Sequence, residues 1–341
     1  DAGETYLVRD NDVNVTITGT LVTADKPIAV VSGSQHTQSC GTGGRDGGVD
    51  QIVPTCLMST DHVVVKSKGA YYQNYNMSFT EPWLGGRKPT SLQVSLYRSV
   101  SSNGLTDDQR QEIQVSGLTL GIGQRLKNPD DYFTLYNGLN FVQYKLNNSQ
   151  SFFSFRNGES NNVNYNINIG RNSVDQLNFP RQGSNFLFSL KLSPPYSMFD
   201  NVDDYSKLTD QEKYEWVEYY KWKFKATWFS PFTDKLVLAT RTEFGFLGAY
   251  NEELGISPFE RFYVGGDGLS GMGYMNDGRE LVSLRGYSNN SISPQTGATI
   301  YNKYTAELRY ALSLNPSSTM YALAFLEAGN AWGKFDNFNP F

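Results

Sequence analysis

A Gly-rich segment in the last third of the chain contains a cation whose neighbours suggest a specific role. The run PFERFYVGGDGL begins at Pro258, and SLRGY follows it and ends at Tyr287. Arg285 stands between Leu284 and Gly286-Tyr287, an apolar setting that a water-exposed loop would not need. A guanidinium that is buried must pair with carboxylates, because an unpaired buried charge is costly. We therefore predict that residues 249–298 fold back into the protein and dock through Arg285.

Two cysteines and two histidines lie close together near the N-terminus: His36, Cys40, Cys56 and His62. A Cys40–Cys56 disulfide is the favoured interpretation for a protein outside the cytoplasm. It would close a loop of about 15 residues and contribute ~3 kcal/mol. All four side chains are also zinc ligand types, but no CxxC pair is present. Two free thiols are the third alternative.

Enzymatic chemistry is not expected from the rest of the chain. Residues 70–341 contain neither histidine nor cysteine, so a Ser–His or Cys–His pair cannot form there. Asp203-Asp204 is interpreted as solvated loop charge. We predict no enzyme activity, no catalytic residue, no cofactor and no metal. The net charge of −5, without a basic block, also argues against a nucleic-acid partner.

The composition changes near residue 70. Residues 1–69 have Tyr6 as their only aromatic residue and contain short β-type runs with a Gly-rich loop at 40–50. The other aromatic residues all lie in 70–341. We predict a small β-rich segment at 1–69, with origin in a separate module or chain as one alternative, and a second domain at 70–341. No signal peptide is visible at Asp1, so the chain looks mature or trimmed.

The second domain repeats a period-two pattern that is typical of β-strands with one polar and one apolar face. Lys221, Lys223 and Lys225 alternate with Trp222 and Phe224, for example. The phase shifts at Ser116-Gly117, which suggests a bulge. Ten strands are predicted, at 71–80, 91–99, 112–125, 132–146, 162–171, 185–193, 214–229, 236–248, 300–313 and 319–332.

These strands point to a membrane. They are longer than the ~5–6 residues usual in soluble sheets. Short turns alternate with long loops, as in outer-membrane barrels. Aromatic residues near strand ends fit interfacial girdles: Trp83, Tyr132, Trp228, Phe229 and Trp332. We predict an all-β, multi-pass transmembrane antiparallel β-barrel in a bacterial outer membrane. A short helix is expected within SKLTDQEKYE of the third long loop.

Residues 71–341 resemble the BamA-type outer-membrane-protein insertase family of the β-barrel assembly machine. NMSFTEPWLGG is similar to its strand and aromatic turn, and NFPRQGS to its Pro-x-x-Gly-Ser turn. FERFYVGGDGL, with Phe259, Phe262, Gly265 and Gly266, resembles the opening of its sixth extracellular loop. LRGY, with Arg285, Gly286 and Tyr287, resembles the tip of that loop.

The resemblance implies that Arg285 pairs inside the barrel with acids on the next two strands, which here are Glu307 and Glu327. Glu307 lies on the polar face of its strand, although Lys303 or Arg309 of the same face could pair with it instead. Glu327 shares a face with Tyr321, Leu323 and Phe325, so a bulge would be needed to turn it inward.

A full barrel of this family has sixteen strands, and the ten predicted here correspond to its fourth to thirteenth. Two unpaired edges in lipid are not tolerated, so the chain is expected to be incomplete. Residues 1–69 lack the helices of the family's POTRA domains. The run TITGTLVTADKPIAVVSGS resembles an IgGFc-binding type of β-rich surface module.

The resemblance implies an assembly factor that inserts β-barrel clients into the outer membrane. Its expected partners are the lipid bilayer, unfolded β-barrel client proteins and other subunits of the assembly machine. A two-partner-type secretion barrel and a passive pore are the alternatives. For a pore, the Lys221, Lys223 and Lys225 row would favour anions, but a wet inner face is the simpler interpretation.

Overall fold

The structure is a computed structural model, and it describes residues 30–38, 45–52, 65–68, 72–86, 90–105, 109–149, 154–200, 202, 204–267, 278–315 and 318–339. Its fifteen strands are β1 (Val30–Gln38), β2 (Arg45–Ile52), β3 (Val65–Lys68), β4 (Tyr72–Glu81), β5 (Thr90–Ser102), β6 (Glu112–Arg125), β7 (Phe133–Asn147), β8 (Gly158–Asn172), β9 (Gly183–Leu192), β10 (Tyr220–Pro231), β11 (Leu236–Gly248), β12 (Phe262–Val264), β13 (Glu280–Val282), β14 (Ile300–Asn315) and β15 (Ser318–Trp332).

Among the described residues, helical structure is confined to short segments. The helix α1 (Asp210–Lys213) lies in the predicted SKLTDQEKYE run. Thr209 and Glu212 cap it reciprocally, which satisfies its first backbone N–H groups. Single 3₁₀ turns occur at Leu84–Gly86, Tyr196–Met198, Tyr205–Lys207 and Phe335–Asn337. Within the part of the chain that the structure describes, no helix is long and apolar enough to cross a membrane.

An eleven-stranded sheet runs in the order β15-β14-β11-β10-β9-β8-β7-β6-β5-β4-β3. All its neighbouring strands pair antiparallel. All ten predicted strands are present, and β3 adds four residues that precede the predicted boundary at residue 70. The all-β, partial antiparallel barrel that the sequence predicts is confirmed.

The chain divides into two compact units, residues 1–58 and 59–341. In the first unit β1 and β2 form an antiparallel pair, with a register shift between Ser34 and Thr37. The Gly-rich run at 40–50, which was expected to be a loop, contains the first residues of β2 from Arg45 onward.

The two faces of the sheet differ as the alternation predicts. On β10, Trp222 and Trp228 point outward and are 38% and 41% exposed. Lys221 and Phe229 lie on the opposite, inner face. Phe229 is therefore not part of an outer girdle: its ring contacts the guanidinium of Arg309, at 5.4 Å from the ring centroid.

The predicted bulge at Ser116-Gly117 is wrong, because β6 pairs in unbroken register with β5 and β7. Gly117 has another function in the sheet. A Cβ atom there would lie 2.3 Å from the ring of Tyr97, so glycine leaves space for that ring on the inner face. The apparent phase shift comes from packing and not from an extra residue.

The main hydrophobic core lies between the inner face of the sheet and the segment that connects β11 to β14. Its buried members from that segment include Phe259, Phe262, Val264 and Leu284, and Tyr144 and Tyr301 of the sheet pack with them. The described parts of this connection thus contribute to the folded core.

Candidate functional site

The connection between β11 and β14, residues 249–299, is called here the docked loop. Its strands β12 and β13 pair in parallel, and Phe262 also bridges to Ala298. Phe259 stacks on Tyr144 of β7 with centroids 4.4 Å apart, and Phe262 meets Tyr301 of β14 at 4.7 Å. The docked loop therefore contacts the sheet from β7 to β14.

Gly265 and Gly266 bring the first limb of the docked loop, residues 256–266, close to the segment after Tyr287. Both have positive φ, of 127° and 89°. A Cβ at Gly265 would lie 2.5 Å from the Ser288 carbonyl oxygen, and one at Gly266 would lie 2.0 Å from Asn289 Oδ1. The Gly266 N–H donates to the Tyr287 carbonyl oxygen at 3.1 Å. Only glycine accommodates this conformation and this approach without strain.

The guanidinium of Arg285 lies between carboxylates of two adjacent strands. Its Nη2 is 3.1 Å from Glu307 Oε1 on β14 and 2.8 Å from Glu327 Oε1 on β15. The Arg285 backbone N–H also donates to Glu327 Oε2 at 2.9 Å. We call these three residues the arginine anchor.

Glu307 pairs with two of the three cations considered from the sequence, Arg285 and Arg309. Its Oε1 accepts from Arg285, and its Oε2 accepts from Arg309 Nη2 at 2.5 Å. Lys303 does not pair with Glu307. It donates to the Ser283 carbonyl oxygen at 2.6 Å and lies 3.4 Å from Glu327 Oε1.

Glu327 faces inward without any bulge near it, so the prediction that it needs a bulge to turn inward is wrong. The register shift between β14 and β15 falls at Ala311/Ser313, well away from the Thr305–Glu327 pair. The aromatic residues that share the face of Glu327 also point inward. Phe325 lies beneath Arg285, with the guanidinium carbon 3.5 Å from the ring centroid.

The other two residues of the loop tip contribute through the backbone. Gly286 has φ of 91° and an open position where a Cβ would be, so it makes the turn without a close approach. Tyr287 is 51% exposed, and its carbonyl oxygen accepts from Gly266. The Tyr287 ring is thus not what docks the tip.

A second ionic cluster lies at the first limb of the docked loop, and we call it the lysine anchor. It joins Glu260 and Glu280 of the docked loop to lysines of β9 and β10. Lys221 Nζ lies 2.9 Å from Glu260 Oε2 and 2.6 Å from Glu280 Oε2. Lys191 reaches Glu260 at 3.2 Å, and Lys223 reaches Glu280 at 2.7 Å.

The electrostatics of Glu260 depend on these lysines. Burial on its own would raise the pKa of Glu260. The charges of Lys191 and Lys221, and the hydrogen bonds they donate, outweigh burial and hold the pKa well below its usual value. Glu280 shows the same balance with Lys221 and Lys223, and its pKa is also lowered.

The lysine row of β10 is a wet inner face only in part, since the exposure of its lysines rises from Lys221 to Lys225. Lys221 is 1% exposed and Lys223 pairs with the docked loop, while Lys225 is half-exposed and pairs with Glu243 of β11. Sequence reasoning missed Lys191, Glu260, Glu280 and Phe325. The signal for the first was available, since Lys191 lies on the polar face of its strand.

Cys40 and Cys56 lie outside the described residues, so the disulfide stays a prediction. Among the residues that the structure does describe, no group of three or more His, Cys, Asp or Glu side chains is placed to hold a metal ion.

Comparison with known proteins identifies relatives of the larger unit. The profile of the Omp85 superfamily domain matches residues 63–341. The fold is similar to that of BamA from Haemophilus ducreyi lacking POTRA domains 1–3, with a TM-score of 0.55 and 18% identity over 78% of this chain. CdiB from Escherichia coli gives a TM-score of 0.45 and 15% identity over 76% of this chain and 42% of that one.

The chain spans about half of that BamA structure, 51% of its length. No curated protein matches the chain. The superfamily match begins at residue 63, so the resemblance of residues 1–69 to an IgGFc-binding module has no support from these relatives.

Proposed function

We propose, because the chain belongs to the Omp85 superfamily, that its barrel is the core of an outer-membrane protein assembly factor. In this role it helps client β-barrels to fold and insert into the bilayer. Membership of the superfamily, together with the fold, gives the broader conclusion of an outer-membrane barrel of the insertase or secretion type. The step to an assembly factor is our proposal, as are its partners: unfolded clients and other subunits of the machine.

The observation that carries the proposal is the ionic docking of a long loop against the inner face of the barrel. Arg285 ties the docked loop to β14 and β15, and the lysine anchor ties it to β9 and β10. Such a loop supports the barrel wall from within while leaving the outer, apolar face free to act on lipid and clients.

This arrangement favours assembly over passive transport. A solute pore needs accessible polar side chains along its inner face. Here Lys221 and Lys223 pair with carboxylates of the docked loop, and Phe259, Phe262 and Leu284 bury their side chains against the same face. At Lys221 and Lys223, an anion pathway along the lysine row is thus occupied by the docked loop.

We further propose that no covalent step is involved. Residues 63–341 contain no histidine and no cysteine, so they cannot form a Ser–His or Cys–His pair. The barrel would instead act by positioning clients and by perturbing the bilayer, with no cofactor.

The test is reconstitution of the full-length protein in liposomes with an unfolded β-barrel client. We expect the heat-modifiable, folded fraction of the client to rise faster than in empty liposomes. Faster release of a small anion with no gain in client folding would contradict the proposal and indicate a pore. Delivery of a non-barrel polypeptide to the protease-protected side would contradict it in favour of secretion.

A further inference from the structure

We propose that the lysine anchor is a second, independent receptor site for the docked loop and that Glu260 is the positioning residue that completes it. The proposal concerns how residues 256–266 are held in place. It goes beyond the assembly function, because its readout is the local stability of the loop and its success does not require that the protein inserts clients.

The first argument comes from strand register. Lys221 of β10 and Lys191 of β9 are direct cross-strand partners on the inner face. Like charges directly opposite one another destabilise a sheet. The carboxylate of Glu260 lies within 2.9 Å of one ammonium group and 3.2 Å of the other. The pairing of β9 with β10 thus depends on a charge that the docked loop supplies.

The second argument comes from the partners of Lys221. This buried ammonium group contacts the Glu260 carboxylate, the Glu260 carbonyl oxygen at 2.7 Å, the Glu280 carboxylate and the ring of Phe262 at 4.6 Å. Every one of these four partners belongs to the docked loop. Withdrawal of the loop would leave Lys221 with none of them, and an unpaired charge at this position is unfavourable.

The third argument is the backbone of Glu260. Its φ is 69°, in the left-handed region that non-glycine residues rarely adopt. In this conformation both its carbonyl oxygen and its carboxylate reach Lys221, and its N–H donates to the Gly278 carbonyl oxygen at 2.7 Å. Strained backbone persists where the surrounding contacts determine it, as they do here.

The two anchors have opposite polarity. At the arginine anchor the docked loop supplies the cation and the sheet supplies the carboxylates, whereas at the lysine anchor the loop supplies the carboxylates and the sheet supplies the cations. A loop shifted along the sheet would bring like charges together, which opposes misplacement. We infer that the two anchors together fix the position of the docked loop.

The test uses the full-length protein in lipid nanodiscs and hydrogen–deuterium exchange. Lys221→Met removes the buried ammonium, and Lys225→Met is the matched control on the same face of the same strand. Lys221→Met should speed exchange in 256–266 by roughly ten-fold or more, since Glu260 and Glu280 keep Lys191 and Lys223 but lose charged hydrogen bonds that contribute ~1.5–3 kcal/mol. Lys225→Met should leave this segment unchanged. The Arg285 N–H, which donates to Glu327, should stay protected in both variants.

A rescue experiment keeps the proposal falsifiable if Lys221→Met fails to fold. Glu260→Gln should speed exchange in 256–266 and also in β9 and β10, because Lys191 and Lys221 then repel each other. Adding Lys191→Gln should restore protection of β9 and β10 but not of 256–266. Equal exchange in the Lys221 and Lys225 variants, simultaneous release of the Arg285 N–H, or failure of the rescue would overturn the proposal.

Discussion

Glu327 binds Arg285 at two points, accepting from its backbone N–H with Oε2 and from its guanidinium with Oε1. The carboxylate thus fixes the position of the chain at Arg285 as well as the direction of its side chain. Glu307 contacts only the guanidinium and shares its charge with Arg309. The two acids of the arginine anchor are therefore not equivalent.

This difference predicts unequal effects of removing either charge. Glu327→Gln should destabilise the docked tip by ~1.5–3 kcal/mol, because Arg285 keeps only its contact with Glu307 and Lys303 loses its carboxylate partner. Glu307→Gln should cost less, since Glu327 still holds Arg285. Urea titration in detergent, followed by tryptic cleavage after Arg285, measures both. A larger effect of Glu307→Gln would show that the backbone contact is unimportant.

The glycines of the docked loop should differ in their tolerance of alanine. Gly266 and Gly286 have nearly the same positive φ, 89° and 91°, but only Gly266 is crowded. Gly286→Ala should cost ~1–2 kcal/mol from the backbone alone, and Gly266→Ala should cost clearly more. The fraction of protein that keeps its heat-modifiable gel mobility after mild urea treatment reports on both. Equal losses would mean that the approach to Asn289 does not matter.

The ring of Phe325 should contribute to the arginine anchor apart from the ion pairs. Phe325→Leu keeps an apolar side chain but removes the cation–π contact, so the tip should lose ~0.5–2 kcal/mol of stability. Tyr321→Leu is the control, because its ring lies near Arg309 and not Arg285. Protease sensitivity of 283–287 should rise only in the Phe325 variant; a rise in both would indicate a general loss of packing.

Acid should release the first limb of the docked loop. The lowered pKa of Glu260 means that its ion pairs stabilise the folded state above the ordinary pKa of ~4.3, and this contribution is lost as pH falls through the folded pKa. The facing groups are Lys191, Lys221, Glu280, Tyr97 and Tyr219. Pepsin cleavage in 256–266 should therefore increase below about pH 4.

Glu260→Gln provides the control for that experiment. This variant has one titrating carboxylate fewer, so pepsin cleavage in 256–266 should rise less as the pH falls below about 4. The rise that remains should follow protonation of Glu280, whose pKa is also lowered. An identical pH profile in the variant and the unmodified protein would exclude Glu260 as the group responsible.

The strands were predictable because alternation directly reports which residues face lipid and which face inward. Ten of the eleven strands of the large sheet follow from that pattern alone, and the Arg285 pairing is what the family resemblance implies. What alternation does not report is what fills the inner face. The alternation pattern predicts that Phe325 and Tyr321 face lipid. In the structure both point inward, and their rings contact Arg285 and Arg309, respectively.

The lysine anchor was missed for a related reason. When only one strand is considered, a row of lysines on its polar face predicts solvent-exposed side chains. The register that sets Lys221 opposite Lys191 is a property of two strands separated by a long loop, and only that pairing creates the need for a carboxylate. The left-handed backbone of Glu260 has no counterpart in the sequence pattern either.

The most direct test of the central claim, that a docked loop supports client assembly, is a double-mutant cycle on the rate of client folding. The unmodified protein, Arg285→Ala, Glu327→Gln and the double variant are reconstituted in the same liposomes. Because the two residues act as a unit, we predict that each single variant slows client folding to nearly the same extent as the double variant. Client folding at the unmodified rate in Arg285→Ala, or strictly additive losses, would contradict the account.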